Sequence, residues 1–170
     1  MAIDLTLKSV SITAREASPP TLNSPGAGGQ ALVKHISGYL ASVTASLSAT
    51  SVIRMCEVPS NAVLVGLWFQ SAAQVAGKFD IGVYRNNRDG GAVVDQDFFA
   101  TDIDCASAVT RTDVLNESTL NTLVKQMLPL WSAAGLTSDP GGTLDLALTV
   151  HTTDVTTGTG AVKLDAFYVE

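Results

Sequence analysis

Two apolar segments lie within residues 54–85, and their patterns differ. Residues 62–69 are almost continuously apolar, which predicts a strand covered on both faces. Residues 79–84 alternate, which predicts a strand with one core-facing side. The core-facing set is Phe79, Ile81 and Val83, and the opposite set is Asp80, Gly82 and Tyr84. We interpret the two segments as the central hairpin of a β-sandwich.

The rest of the chain supplies more short strands, bounded by turn residues. Asn86 to Gly91 is the strongest turn signal because Asn, Asp and Gly tolerate positive φ. The further predicted strands cover residues 2–13, 32–40, 47–58, 92–101, 143–151 and 162–169. About eight short strands predict an all-β fold, an antiparallel β-sandwich of jelly-roll type.

A single amphipathic helix is predicted between two of these strands, at about residues 116–134. Asn116 or Ser118 can cap its start, and Pro129 should kink or break it. Its apolar positions recur at helical spacing, at Leu120, Leu123, Val124, Met127, Leu128 and Trp131. We expect this stripe to plug one open end of the sandwich; a helix that binds a partner is the alternative.

The first 30 residues predict a strand followed by an extended arm rich in Pro and Gly. Residues 14–30 contain three prolines and three glycines, which favour an irregular path. The segment is either a mobile linker or an arm that lies across a neighbouring subunit. For the arm, the candidate partner-binding residues are Arg15, Pro19, Pro20, Leu22 and Pro25. Residues 31–170 then form the β-sandwich domain.

Charged residues are few and unevenly placed. They make up 15% of the chain against 46% hydrophobic residues, where ordinary domains have about 25% charged residues. Such a surface favours association with other proteins over a solitary monomer. Residues 1–50 carry a net charge of +1, from Lys8, Arg15 and Lys34 against Asp4 and Glu16. Of the net −6, residues 51–170 therefore carry −7, which argues against a nucleic-acid partner.

The sequence offers little for catalysis or metal binding. The only histidines are His35 and His151, and no G-x-S-x-G elbow or Cys/His ligand spacing occurs. We therefore expect no enzyme and no cofactor, with His151 at the surface. Cys56 and Cys105 fall in or beside predicted strands and are expected to be buried free thiols. Neither a secretion leader nor an apolar run of about 18 residues is present, so we expect a cytoplasm-like compartment and no membrane partner.

Two further patterns leave alternatives open. Residues 95–104 carry four aspartates, at 95, 97, 102 and 104. They favour a solvated strand edge or an electrostatic docking patch over a calcium site, because the EF-hand ligand spacing is missing. A carbohydrate-binding sandwich would need exposed aromatic rings. The aromatic candidates are Tyr39, Tyr84, Tyr168, Trp68 and Trp131, and we assign both tryptophans to the core.

Five segments together resemble the capsid decoration proteins, also called cement or head-stabilising proteins, of tailed bacteriophages. The resemblance covers roughly residues 31–170. It rests on R-x-x-x-V-P at Arg54, Val58 and Pro59, F-D-I-G-V-Y at 79–84, V-D-x-D-F-F-A at 94–100, L-P-L-W-S-A-A-G-L-T-S-D-P at 128–140 and G-T-G-A-V-K-L-D-A-F-Y-V at 158–169.

The resemblance implies a structural virion protein without enzymatic activity, made in the host cytoplasm and carried on the capsid surface. Such a protein binds the outside of an expanded head and braces contacts between major capsid subunits. Its partners are the major capsid protein and further copies of itself, as a trimer or other homo-oligomer. A phage tail or fibre component and a carbohydrate-binding β-sandwich module are the alternatives.

Overall fold

The computed structural model describes residues 32–43, 47–74, 77–151 and 160–170. Eight strands and one short helix follow each other along these residues. The strands are β1 (Lys34–Leu40), β2 (Val52–Pro59), β3 (Val63–Ser71), β4 (Lys78–Arg85), β5 (Val93–Asp104), β6 (Val109–Asp113), β7 (Thr143–Val150) and β8 (Val162–Val169). The helix α1 (Leu130–Ala133) lies between β6 and β7, and 3-10 turns cover Asn87–Asp89 and Lys125–Met127.

The strands form two four-stranded antiparallel sheets, with orders β1-β8-β3-β6 and β2-β7-β4-β5. Strands equally far from the two ends of this series pair with each other: β1 with β8, β2 with β7, β3 with β6 and β4 with β5. This is the pairing of a long hairpin wrapped into two Greek keys, which defines a jelly roll. The predicted fold class is confirmed.

The predicted central hairpin is wrong, although both of its strands exist. β3 pairs with β6 and β8, whereas β4 pairs with β5 and β7 in the other sheet. The chain therefore changes sheet between β3 and β4. The partner of β4 across the Asn86–Gly91 turn is β5, as the turn signal predicts.

The burial of these two strands is the reverse of the expectation. β3 has a wet side, since Val65 is 50% exposed and Gln70 is exposed. In β4, Asp80, Gly82 and Tyr84 are buried along with the core-facing residues. The backbone of β5 lies directly over Gly82, and the Tyr84 hydroxyl is 2.6 Å from that of Thr149. Neighbouring strands thus cover the outer face of β4, which its alternating pattern does not reveal.

The inserted helix is present but is only four residues long, Leu130–Ala133, so the predicted bounds of 116–134 are wrong. Pro129 is its N-cap and starts the helix instead of kinking it. Leu128 is extended, with φ −99° and ψ 154°, as the residue before a proline prefers to be. Most of the stripe is exposed, so it does not plug the sandwich.

Residues Val33–Glu170 form one compact unit. The predicted arm residues Arg15, Pro19, Pro20, Leu22 and Pro25 lie outside the described residues, so the arm and its boundary stay predictions. Cys56 and Cys105 are buried free thiols, as expected, and burial raises the pKa of each to about 11. Across the described ranges, no helix has the length and apolar character needed to cross a membrane.

Candidate interaction surfaces

The segment between β6 and α1 carries several highly exposed apolar side chains. We call residues 116–129 the apolar connector. Leu123, Val124 and Met127 are 81%, 74% and 75% exposed, and Leu120 and Leu128 are exposed to a smaller extent. Clustered exposed apolar groups of this kind mark surfaces that bind other proteins.

The connector is held in place by bonds that a helix would not make. The Ser118 backbone N–H donates to the Phe99 carbonyl at 2.7 Å, and the buried Asn121 side chain donates to the Leu115 carbonyl at 2.7 Å. The Lys125 ammonium lies 5.1 Å from the centre of the Phe98 ring. These contacts fix the backbone to the body of the sandwich, and the apolar side chains project from a held scaffold.

A second surface is a groove between β5 and β6, the edge strands of the two sheets. Its volume is about 260 Å³. Its floor contains Phe69 and Val114 from the core, and its rim carries Asp102, Asp104 and Glu117. The Lys78 ammonium lies 2.8 Å from Asp102 and lowers the pKa of that carboxyl.

The acidic strand β5 brings together no metal-ligand cluster. Within the described ranges, no group of three or more His, Cys, Asp or Glu side chains is placed to hold a metal ion. At its other end, burial and a hydrogen bond to Asp97 raise the pKa of Asp95. The docking-patch interpretation of β5 stays a prediction.

His151 lies in a polar contact that the sequence analysis missed. Its Nδ1 is 2.8 Å from Oδ2 of the buried Asp80, which raises the pKa of the imidazole. The other Asp80 oxygen accepts bonds from the Asp102 N–H and the Thr101 hydroxyl. Asp102 has a φ of 57°, within a bulge of β5. The Asp80 carboxylate therefore accepts the hydrogen bonds of the donors in this bulge, and its role is to hold the bulge in place. The available signal was a charged residue within a predicted strand, although the alternating pattern assigns Asp80 to the uncovered face.

Arg54, the first residue of the R-x-x-x-V-P pattern, also has an architectural role. Its guanidinium pairs with Asp145 at 2.5 Å and donates to the carbonyls of Arg85 and Gly91, each at 2.7 Å. Those two carbonyls flank the β4–β5 turn. Arg54 therefore fixes the β4–β5 turn against β2 and β7.

The outer face of the β1-β8-β3-β6 sheet carries a row of three aromatic rings and one guanidinium in contact. His35 stacks on Phe167 at 4.6 Å between ring centroids, and Trp68 is 4.8 Å from Phe167. The Arg111 guanidinium lies 3.6 Å from the Trp68 ring centre, so each of the four strands contributes one member. Assigning Trp68 to the core was therefore wrong: it is half-buried and points outward. Trp131 is half-buried and packs against the core.

No protein-family model matches the sequence, and no curated protein matches it. Solved structures do match. A chain in the capsid asymmetric unit of cyanophage Pam1 has 16% identity and a TM-score of 0.53, over 91% of this chain and 96% of that chain. A chain in the capsid of Ralstonia phage GP4 has 15% identity and a TM-score of 0.58, over 88% of this chain and 90% of that chain. At such identities the likeness is one of fold, and this chain shares its fold with chains from two phage capsids.

Proposed function

We propose that this chain is a structural virion protein that binds the outer surface of a phage head and stabilises contacts between major capsid subunits. The observation that carries the proposal is the fold likeness to chains from two phage capsids, which covers about nine-tenths of both partners in each comparison. Each match therefore extends over nearly the whole length of both chains and not over one local motif. The proposed role is non-enzymatic, and the protein resides in the virion.

We propose that the apolar connector is one surface through which the chain attaches to the major capsid protein, in addition to the predicted N-terminal arm. Leu123, Val124 and Met127 lie close together in the sequence, and each of these apolar side chains is at least 74% exposed. Burying a side chain of this size contributes roughly 1.5–3 kcal/mol. Three such side chains provide a contact of moderate strength for one copy.

Many moderate contacts stabilise a shell when the copies act together. A ligand that binds only the assembled state shifts the equilibrium towards that state by mass action. Copies linked to each other as a trimer or other homo-oligomer dissociate more slowly than single copies, because each bound copy keeps its neighbours at high local concentration. We propose that self-association adds to attachment in this way.

The attachment surface can be tested with phage heads that lack this protein. The variant replaces Leu123, Val124 and Met127 by Ser. Because these side chains are at least 74% exposed, its unfolding free energy should stay close to that of the wild type. We expect its affinity for heads, measured by co-sedimentation, to fall by at least about tenfold, which corresponds to about 1.4 kcal/mol.

A matched control replaces three exposed valines elsewhere, Val52, Val65 and Val93, by Ser. This control should bind heads as the wild type does. Equal binding of the connector variant and the wild type would exclude the connector as the attachment surface. Failure of the wild type itself to bind heads would contradict the proposed function.

A further inference from the structure

A cleft of about 330 Å³ lies on the outer face of the β1-β8-β3-β6 sheet, and none of the connector residues lines it. All four strands of the sheet contribute to its wall: Tyr39 from β1, Lys163 from β8, Gln70 from β3 and Thr110 from β6. Lys163 lies directly opposite both Tyr39 and Gln70 in the strand register. These groups are therefore fixed by sheet pairing, which gives the cleft a preformed shape.

The apolar part of the cleft is an exposed aromatic ring above small side chains. Tyr39 is 65% exposed although its ring is large. Ala72, Ala108 and Ala161 also line the cleft, together with Val109 and Val162. Small residues beside an exposed ring leave room for a flat ligand to lie against the ring face.

The described polar groups of the cleft are neutral, apart from one lysine that is already paired. Gln70, Ser71 and Thr110 offer amide and hydroxyl groups, and none of the described residues that line the cleft carries a carboxylate. Among these described residues Lys163 is the one charged group, and its ammonium is already 2.8 Å from the buried Asp165 carboxyl. The same carboxyl lies 3.1 Å from His35. An anionic ligand would have to compete with that ion pair, and a cationic ligand would find no counter-charge among the described residues of the wall.

A ligand that matches this wall is neutral, carries hydroxyl groups, and presents a flat apolar face of C–H bonds. Sugar rings have these properties. We propose that this cleft binds one or two units of a neutral saccharide, with Tyr39 stacking on the sugar ring and Gln70 bonding its hydroxyl groups. The cleft volume lies at the small end of ligand sites, which range over about 300–1,000 Å³. This binding activity goes beyond the proposed role on the head and is independent of it.

The test uses the full chain on an array of neutral and sialylated glycans. A neutral glycan that binds is then titrated as the free oligosaccharide, followed by the NMR signals of the Gln70 side-chain amide and the Tyr39 ring. We expect both signals to shift, and we expect Tyr39→Ala to weaken binding by about tenfold or more. Tyr39→Phe keeps the stacking ring and should retain most of the affinity.

The control Val93→Ala alters an exposed residue of the other sheet and should bind the glycan as the wild type does. Three results would overturn the site: no glycan binds, only sialylated glycans bind, or Tyr39→Ala binds as tightly as the wild type. The connector variant with Leu123, Val124 and Met127 replaced by Ser should still bind the glycan. Loss of the saccharide site and loss of head attachment are thus observed separately.

Discussion

Individual polar side chains on the outer face of the β2-β7-β4-β5 sheet hold its irregular features. Asp80 fills a bulge of β5, and Arg54 fixes the turn between β4 and β5. Both residues stand out in the sequence, Asp80 as a charged residue within a predicted strand and Arg54 as the start of a motif. Their partners do not, because Asp102, Asp145 and His151 are far away along the chain. Sequence reasoning therefore marks such residues without giving their contacts.

The His151 contact makes part of the stability depend on pH. Asp80 raises the pKa of His151, and Asp102 and Lys78 also face the imidazole. A raised pKa means that this contribution is fully present below the unfolded value of about 6.5 and is lost as pH rises through the folded value. We expect the stability difference between the wild type and His151→Gln to be larger at about pH 5.5 than at about pH 8.5. Urea unfolding at the two pH values measures it, and an unchanged difference would contradict the assignment.

At the scale of elements, seven of the eight described strands were predictable, whereas β6 and the bounds of the helix were not. Alternation, apolar runs and turn residues mark those seven strands because a strand reports its own two faces along the chain. The short strand β6 (Val109–Asp113) is mostly exposed and carries no such pattern. The apolar spacing of residues 120–131 is that of a helix. Most of this segment is nevertheless not helical, because Pro129 starts a new helix and because the Ser118 N–H and the Asn121 side chain donate to the carbonyls of Phe99 and Leu115. Which side of β3 or β4 is covered depends on distant strands, and periodicity carries no information about them.

Close contact between β4 and the bulged β5 gives a prediction for this pair of strands. A Cβ atom at Gly82 would lie 2.1 Å from the Asp95 carbonyl oxygen, which belongs to rigid backbone. Gly82→Ala should therefore lower the unfolding free energy by about 1–3 kcal/mol, the usual cost of overpacking. The matched variant is Gly66→Ala in β3, where the new Cβ would lie 3.6 Å from Phe167.

At that distance the contact is ordinary, so Gly66→Ala should change the unfolding free energy by less than about 1 kcal/mol. Denaturant unfolding of both variants separates the two positions. Equal stabilities would show that β5 does not press on β4 as described.

At the scale of the whole molecule, the jelly roll follows from the number of strands, but its pairing does not. β1 and β8 lie at opposite ends of the sandwich sequence and still pair over seven residues. No local pattern predicts that pairing; the resemblance to capsid decoration proteins and the strand count made the fold class accessible. The exposure of the connector was not predicted from the sequence for a related reason. An apolar stripe predicts a buried face, and only the packing shows whether that face is covered.

The N-terminal arm remains a prediction about the whole assembly. Deleting residues 1–28 should abolish binding to heads, because the arm is expected to make the first contact with the shell. The unfolding free energy of the remaining domain should be retained, as Val33–Glu170 form a compact unit. Co-sedimentation and urea unfolding of the truncated chain measure both quantities. Unchanged head binding would remove the arm from the account.

The position of the chain on purified phage particles tests the central claim most directly. Immunogold labelling with an antibody against this chain, combined with cryo-electron microscopy of the head, locates every copy. We predict labelling over the outer surface of the head, with density for the jelly roll above the contacts between major capsid subunits. Labelling confined to the tail or its fibres, or no labelling of the particles, would contradict the account.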